Sequence, residues 1–304
     1  MKQCIISAEL VQNIIRKRKR EIHKGHCGRI LLVAGSEGMM GAAVLSCRSA
    51  LRSGGGLVQL AVPNELFPVA QVAVPEATCR PRSFSAGDLA RYDAVAAGPG
   101  LGTDRESVET VRCLLEYYEG NLVLDADALN VIAEPENHLM DLVRKRKGQT
   151  IITPHPGEAG RLLQMPEITG VKDRVRRMDF AKKLAEKTGA VAVLKGADTV
   201  VATPGGDSYT NTTGNPGMAT GGSGDVLTGM IAGIWGQKQA CEDGGLRRIA
   251  AWEAAVCGVF LHGLAGDLAA EALGEYGMIA GDIAEKIPFA IRQILERKPE
   301  GRER

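Results

Sequence analysis

The chain has 304 residues, of which 44% are hydrophobic, and its formal net charge is +1 at pH 7. These values predict one globular domain over residues 1–304 with a large core, and they argue against bulk nucleic-acid binding. The N-terminus has no long apolar region, and no window reaches the roughly 18 apolar residues that span a bilayer, so no membrane contact is expected. The seven scattered cysteines include no Cys-x-x-Cys pair, which is typical of a reducing compartment and indicates a cytoplasmic protein.

An N-terminal helix is predicted over residues 1–22, because Leu10, Val11, Ile14 and Ile15 follow helical spacing. The basic run at 16–20 is then the exposed side of this helix. That run and a second one at 144–147 could contact phosphate, but solvated faces are the more frequent explanation of such runs. The polar tail at 297–304 is predicted to fray.

Short apolar runs alternate with helical patterns along the rest of the chain. Buried strands are predicted at 30–34, 57–62, 92–97, 122–124, 150–153, 191–194, 200–202 and 208–211. Helices are predicted at about 38–52, 105–118, 172–188, 225–236, 247–271 and 280–296. This alternation predicts an α/β fold with a central, mostly parallel β-sheet and helices on both faces.

The loop at 211–225, NTTGNPGMATGGSGD, leads directly into an apolar helix. Gly221, Gly222 and Gly224 allow positive φ and leave backbone N–H groups bare, so they predict an anion site suited to a nucleotide phosphate. Asp225 closes the loop, and a carboxylate there would repel phosphate unless it had its own role. We interpret Asp225 as an ionised general base that takes a proton from an attacking hydroxyl. The alternative is a helix N-cap after a tight turn.

Several predicted strands end in polar or glycine-rich segments. Gly98-Pro99-Gly100-Leu101-Gly102 follows one strand, and Asp125 and Asp127 follow the next. Ligands gather at the carboxyl ends of parallel strands, so these loops should share one crevice. The two aspartates could instead cap the next helix. His155 lies between two prolines, which favours a ligand contact over a capping or core role.

Lys195 ends another apolar strand and is a candidate phosphate partner, although most lysines are simply solvated. Ala42 and Ala43 would let a flat ligand approach the backbone of their helix, or they are only good helix formers. Two nucleotide-binding motifs do not occur. The chain has no G-x-x-x-x-G-K-[ST], which argues against a P-loop protein, and no G-x-G-x-x-G after a strand, which argues against a Rossmann dehydrogenase.

Six motifs, spaced over about residues 23–295, together resemble the ADP/ATP-dependent NAD(P)H-hydrate dehydratases of the ribokinase-like superfamily. They are Gly35-Ser36 with Gly41-Ala42-Ala43, Gly98-Pro99-Gly100-Leu101-Gly102, Leu124-Asp125-Ala126-Asp127-Ala128-Leu129, Thr153-Pro154-His155-Pro156-Gly157-Glu158, Lys195-Gly196, and Asn215-Pro216-Gly217 through Asp225.

The resemblance implies an enzyme that removes water from the (S)-hydrate of NADH or NADPH, driven by ADP or ATP, with release of phosphate and AMP or ADP. It implies that the hydrate contacts Ala42 or Ala43, Gly100, His155 and Asp225. It assigns the nucleotide to Lys195, Gly196, Ala197, Asp198, Thr199 and Gly224. Asp225 is the implied catalytic base. Mg²⁺ is expected as the counter-ion of the phosphates, with no dedicated protein ligands.

The same resemblance implies a homo-oligomer, commonly a tetramer. Only about 25 residues precede the first predicted strand, so the epimerase domain of some family members is expected to be absent and a separate epimerase to be the functional partner. Two other functions stay open. One is a ribokinase-like kinase of a small alcohol, against which the motifs at 98–102 and 153–158 argue. The other is a catalytically silent nucleotide-binding protein.

Overall fold

The computed structural model describes residues 2–146, 150–241 and 245–298. Its strands are β1 (Gln3–Ile5), β2 (Arg29–Val33), β3 (Leu57–Ala61), β4 (Thr78–Arg80), β5 (Ala94–Ala97), β6 (Asn121–Leu124), β7 (Thr150–Ile152), β8 (Val191–Leu194), β9 (Val200–Ala202), β10 (Ser208–Thr210), β11 (Lys238–Ala240) and β12 (Leu246–Arg248). Its α-helices are α1 (Ala8–Ile14), α2 (Met40–Arg52), α3 (Phe67–Ala73), α4 (Ala86–Leu89), α5 (Arg105–Tyr117), α6 (Ala126–Ala133), α7 (Met140–Lys145), α8 (Pro156–Leu163), α9 (Arg174–Thr188), α10 (Ser223–Trp235), α11 (Ala251–Leu273) and α12 (Ala280–Glu296).

Ten strands form one sheet in the order β1-β10-β9-β8-β7-β6-β5-β2-β3-β4. Strands β2 to β8 run parallel to one another, whereas β9 pairs antiparallel with both β8 and β10. Strands β11 and β12 form a separate hairpin. Because the central strands share one direction, their carboxyl ends lie at one edge of the sheet, where ligand sites of such folds are found.

The sheet is buried on both faces, as strand β2 shows. Ile30 and Leu32 point into one apolar core, and Leu31 and Val33 point into the other. Helices α1, α2, α10, α11 and α12 cover the first face, and α5 to α9 cover the second. Strands buried on both faces have continuous apolar sequences, which is why the apolar runs in the sequence predict these strands. The predicted α/β class with helices on both faces is confirmed.

The N-terminal prediction is wrong in part. Strand β1 precedes the helix and pairs with β10, and α1 begins after the N-cap Ser7 and ends at Ile14. The basic run at 16–20 therefore lies beyond the helix and is not its exposed face. The Arg18 guanidinium instead donates hydrogen bonds to the Gly54 carbonyl at 2.5 Å and to Oε1 of Gln237 at 2.7 Å. These long-range bonds give the run a partner that local periodicity does not reveal.

Other differences concern short elements. Strand β4, helix α3 and the β11–β12 hairpin were not predicted, and the hairpin delays the start of α11 to Ala251, against the predicted 247. Two predictions fall partly outside the described residues. They are the basic run at 144–147, of which Lys147 is not described, and the fraying tail, of which residues 299–304 are not described.

Helix α11 corrects the expectation that no segment could span a membrane. It has 23 residues and contains an 18-residue apolar window with a mean hydropathy of 1.4, which would suffice by length and composition. However, 61% of that apolar window is buried, and the helix packs against α10 and α12. A core helix has the same composition, because it too is surrounded by apolar side chains.

Candidate active site

The carboxyl ends of β6, β7 and β8 bring together side chains that are distant in sequence. Asp125 follows β6, His155 and Glu158 follow β7, and Lys195 follows β8. The start of α10 lies against them, since a Cβ built on Gly224 would be 3.2 Å from Nζ of Lys195. All of these residues line one cavity of about 820 Å³. Of the segments predicted to share one crevice, the one with Asp125 lines this cavity, whereas residues 98–102 and Asp127 do not.

Asp125 lies at the centre of a buried hydrogen-bond network and is 1% exposed. Its Oδ1 accepts from Nζ of Lys195 at 2.6 Å, and its Oδ2 accepts from Oγ1 of Thr228 at 2.7 Å. Asp125 precedes α6, but its side chain makes no capping hydrogen bond, so the capping alternative is wrong for this carboxylate. The network instead fixes where the Lys195 ammonium lies.

The charge on Lys195 is kept by its acidic neighbours. Burial acts to lower the pKa of this ammonium, but the carboxylates of Asp125 and Glu158 outweigh burial and raise it. Oε2 of Glu158 is 3.9 Å from Nζ. Lys195 therefore remains a cation inside the cavity, where it can face a phosphate.

Asp127 joins two strand-end loops. Its Oδ2 accepts from the backbone N–H of Gly102 at 2.8 Å, and its Oδ1 accepts from Nδ2 of Asn130 at 3.2 Å. It does not cap α6, and it does not line the cavity. This aspartate holds the 98–102 loop in place, a role that neither alternative from the sequence included.

The glycine loop adopts positive φ at only one of the three predicted glycines. Gly222 has a φ of +92° and directly precedes α10, whereas Gly221 and Gly224 do not have positive φ. Gly224 lies within the first helical turn, close to Lys195, and there is little room for a side chain between them. The first N–H groups of a helix have no partner within it, so an anion site at the start of α10 remains a prediction.

Asp225 lies in the first turn of α10 and lines the cavity. Gly222, not Asp225, occupies the N-cap position, so the N-cap alternative is wrong. Burial, assisted by the Asp125 carboxylate, raises the pKa of Asp225 to about 6 although Lys195 opposes the change. At neutral pH the group is mainly ionised, and it is a stronger base than an ordinary aspartate.

His155 is held by its own helix start. Its Nδ1 accepts from the N–H groups of Gly157 at 2.9 Å and Glu158 at 3.4 Å, and its Nε2 is 3.3 Å from Oε1 of Glu158. Burial and the nearby Lys195 lower the pKa of His155, so the imidazole is neutral with Nδ1 as acceptor. The side chain is 50% exposed and lines the cavity, which keeps a ligand contact open alongside its capping role.

Residues 195–199 form a tight turn after β8, and each of them lines the cavity. Gly196 has a φ of +145° and Asp198 a φ of +53°. Oγ1 of Thr199 donates to the Gly196 carbonyl at 2.8 Å and closes the turn. The six residues predicted to bind nucleotide therefore surround one cavity: Lys195, Gly196, Ala197, Asp198, Thr199 and Gly224.

The other predicted substrate residues form a second group at the same edge of the sheet. Ala42, Ala43 and Gly100 do not line the 820 Å³ cavity. Gly100 has a φ of +58°, and a Cβ built on it would be 3.1 Å from Cβ of Ala42. Ala43 is fully buried and faces Gly35, whereas Ala42 is only partly buried. Of the two alanines, Ala42 is the one that a ligand could reach.

Known proteins share the sequence and the fold of this chain. A family model described as NAD(P)H-hydrate dehydratase matches residues 30–289. The chain belongs to that family. A solved structure of the ADP/ATP-dependent NAD(P)H-hydrate dehydratase of Bacillus subtilis, co-crystallised with ATP/Mg²⁺, is 32% identical to this chain, with a TM-score of 0.80. The match covers 95% of this chain and 98% of that one, and the predicted ribokinase-like fold is confirmed.

Two curated relatives of this NAD(P)H-hydrate dehydratase family member differ in length. The ADP-dependent (S)-NAD(P)H-hydrate dehydratase of Neisseria meningitidis is 35% identical, over 93% of this chain and 91% of that protein. The bifunctional NAD(P)H-hydrate repair enzyme Nnr of Moorella thermoacetica is 40% identical over 96% of this chain. The chain spans 54% of the Moorella enzyme, about half its length.

Three site residues of this dehydratase family member were not singled out from the sequence. Glu158 was noted only within its motif, although it contacts both Lys195 and His155. Thr228 is a polar residue in an apolar helix, a weak signal that its hydrogen bond to Asp125 explains. His262 of α11 lines the cavity, with Nε2 3.4 Å from Oγ of Ser223. Burial lowers the pKa of His262 to about 4, so it is neutral.

Proposed function

We propose that this chain dehydrates the (S)-hydrate of NADH or NADPH and uses ADP or ATP to drive the reaction. The observation that carries the proposal is the meeting of Asp225 and Lys195 in one cavity, a base beside a fixed cation. The family membership and the relatives that act on NAD(P)H-hydrate support it. The activity would restore a damaged nicotinamide cofactor and is a hydro-lyase reaction.

The chemistry follows from what Asp225 and the loop can do. Asp225 accepts the proton of the ring hydroxyl as the hydroxyl oxygen bonds to the terminal phosphorus of the nucleotide, whose bridging P–O bond breaks. The N–H groups at the start of α10 and the Lys195 ammonium stabilise the charge on the moving phosphoryl group. The phosphorylated ring then loses phosphate and a ring proton as the double bond returns. Phosphate and AMP, or phosphate and ADP, are released.

The two groups of predicted site residues would hold the two substrates. The cavity that contains the 195–199 turn and Gly224 takes the nucleotide. The hydrate would approach from the side of Gly100 and Ala42, so that its ring lies between these residues, His155 and Asp225. Gly100 suits this position, because its positive φ and bare backbone permit close approach of a flat ring.

Mg²⁺ is proposed as the counter-ion of the nucleotide phosphates. In the part of the chain that the structure describes, no group of three His, Cys, Asp or Glu side chains could hold a metal ion. The ion would therefore be bound mainly by phosphate oxygens and water, as is usual for Mg²⁺. No step above passes through it.

A stand-alone assay distinguishes the dehydratase from the two other functions. Purified protein is mixed with NADH hydrate, Mg²⁺ and either ADP or ATP, and both NADH absorbance and free phosphate are followed. We expect NADH to return with one phosphate released for each NADH, and the productive nucleotide to be identified. A stable phosphorylated product would indicate a kinase instead. Tight nucleotide binding without turnover would indicate a silent binding protein.

Three further features are proposed. Seven cysteines without a disulfide fit a reducing compartment, so a cytoplasmic location is proposed. A homo-oligomer, in particular a tetramer, is proposed from the family resemblance and is testable by light scattering. A separate NAD(P)H-hydrate epimerase is proposed as the functional partner, because the reaction above consumes only the (S)-epimer.

A further inference from the structure

Helix α9 packs against β8, which leads into the 195–199 turn, and it contributes a buried arginine to that turn. No residue of α9 lines the cavity. Arg177 is only 7% exposed. Its Nη2 donates to the carbonyl of Lys195 at 3.0 Å and to the carbonyl of Leu194 at 3.3 Å. These two residues are the first of the turn and the last of β8. The guanidinium therefore holds the backbone at the point where the strand becomes the turn.

The turn is shaped to accept this guanidinium. Gly196 has a φ of +145°, which L side chains rarely adopt. A Cβ built on Gly196 would lie 2.7 Å from Nη2 of Arg177 and 3.2 Å from Cζ. The absence of a side chain at 196 is thus what allows the arginine to reach the carbonyls beside it.

A second arginine holds the far end of the turn. Arg174, one helical turn before Arg177, donates to Oδ2 of Asp198 from Nη2 at 2.9 Å and from Nε at 3.2 Å. Asp198 has a φ of +53°, an unusual conformation for a residue other than glycine. Both ends of the turn are therefore held from α9, and the turn itself lines the cavity.

We propose that Arg177, assisted by Arg174, is a positioning residue that holds the 195–199 turn in its nucleotide-binding conformation. This inference rests on the proposed function, because it assumes that the turn binds ADP or ATP. Burial lowers the pKa of Arg177, yet a guanidinium stays protonated in proteins. Its charge behind the turn adds to the positive potential that a polyphosphate meets. Neither arginine needs to touch the nucleotide.

The test is the affinity for ADP, measured by calorimetry on purified variants of the whole chain. Arg177→Met keeps much of the side-chain length but removes the charge and the donors. Arg177→Lys keeps the charge and loses the planar fork. Arg174→Gln removes the ion pair with Asp198, and Arg174 is exposed, so this substitution disturbs no packing. Arg176→Met is the matched control, because Arg176 is exposed on the same helix. Thermal unfolding of each variant reports whether the fold is intact.

We expect the dissociation constant of ADP to rise about tenfold in Arg177→Met and about threefold in Arg177→Lys and Arg174→Gln, and to be unchanged in Arg176→Met. The KM for ADP should rise in parallel while kcat at saturating ADP is largely kept. A purely structural arginine would instead lower the melting temperature and kcat without a selective rise in KM.

Several outcomes would overturn the inference. If the wild-type protein binds neither ADP nor ATP, the proposed function fails and the inference fails with it. If the wild type binds ADP and the Arg177 variants bind equally well, only the inference fails. Should Arg177→Met not fold, unchanged ADP affinity in both Arg177→Lys and Arg174→Gln would overturn it, and weakened affinity in both would support it.

Discussion

Asp225 combines two properties that oppose each other. Its carboxylate is partly buried next to Asp125, which raises the pKa of Asp225 to about 6 and makes the ionised form costly. The same shift brings the base closer to neutral pH, where proton transfer is most efficient. Fixed cations such as Lys195 limit this cost without removing it. A catalytic carboxylate at this position is therefore expected to reduce stability while it serves the reaction.

The first consequence is a pH profile. Because Asp225 must be ionised to accept a proton, kcat/KM for the hydrate should fall tenfold per pH unit below about 6. The measurement is the initial rate of NADH recovery between pH 5 and 8 at saturating nucleotide. A rate that stays level from pH 8 down to pH 5, as for an aspartate with the ordinary pKa of 3.8, would show that the base is another group or that its pKa is not raised.

The second consequence concerns stability. A carboxyl whose pKa is raised from 3.8 to about 6 on folding contributes stability below pH 3.8, and this is lost as the pH rises through 6. Asparagine cannot ionise, so Asp225→Asn should be more stable than wild type at pH 8 by about 1–3 kcal/mol. Urea unfolding at pH 8 and pH 4 checks this. The gain should shrink at pH 4, and equal stabilities at pH 8 would contradict the account.

Under the proposed function, Lys195 contributes to nucleotide affinity separately from Asp225. Its ammonium lies beside Gly224 at the start of α10 and is held there by Asp125. We expect Lys195→Ala to raise the dissociation constant of ADP by about ten- to a hundredfold, because a charge-assisted contact is lost. Calorimetry measures the change. Lys17→Ala, in the basic run at 16–20, is the control, and a larger effect there would favour that run as the phosphate site.

Some roles of the site residues could be predicted from the sequence and others could not. Asp225, Lys195 and His155 were identified because each lies in a local motif, and all three line the cavity. The role of Asp125 could not be identified in this way, because its partners are far along the chain. Lys195 is 70 residues away and Thr228 is 103 residues away. The folded chain creates that network, and no spacing within one motif encodes it.

Helix α10 is the element on which the site depends. It carries Asp225 and Thr228 on the side of the cavity, and its other side packs closely on α2. A Cβ on Gly229 would overlap the carbonyl oxygen of Ser46 in α2. The two helices approach so closely only because this position has no side chain. The position of the first turn of α10, which carries Asp225, is thus coupled to the packing of α2.

Gly229→Ala tests this packing. The added methyl group must push α2 and α10 apart, and we expect a loss of about 2–3 kcal/mol in the free energy of unfolding. The control is Gly41→Ala in α2, where a Cβ would meet nothing within 4 Å. That change should be neutral or stabilise the protein by about 0.5 kcal/mol. Equal effects of the two substitutions on urea unfolding would contradict the packing argument.

At the same scale, the strands differ in how far sequence could predict them. The central strands β2, β5, β6 and β8 are continuous apolar runs, because both of their faces are buried, and such runs are readable without a structure. The edge strand β1 has three residues, alternates in exposure and is defined by its pairing with β10. Its existence depends on a partner two hundred residues away, which no local pattern reports.

At the scale of the whole molecule, one sheet separates two apolar cores and presents a single edge where strand ends and helix starts meet. This architecture explains why residues from β6, β7, β8 and α10 form one site although they span a hundred residues. Sequence predicted the class of fold and the edge of the sheet at which Asp125, His155 and Lys195 meet. It did not predict which side chains face each other across that edge, since this depends on strand order and helix packing.

The most direct test of the account compares wild type with Asp225→Asn in one experiment. Both proteins are mixed with NADH hydrate, ADP or ATP, and Mg²⁺, and the return of NADH is measured together with phosphate release and the dissociation constant of the nucleotide. We predict stoichiometric recovery by the wild type, a loss of about a thousandfold in the variant, and nucleotide affinity that is essentially kept. Turnover by the variant within tenfold of wild type would contradict the assignment of Asp225 as the base.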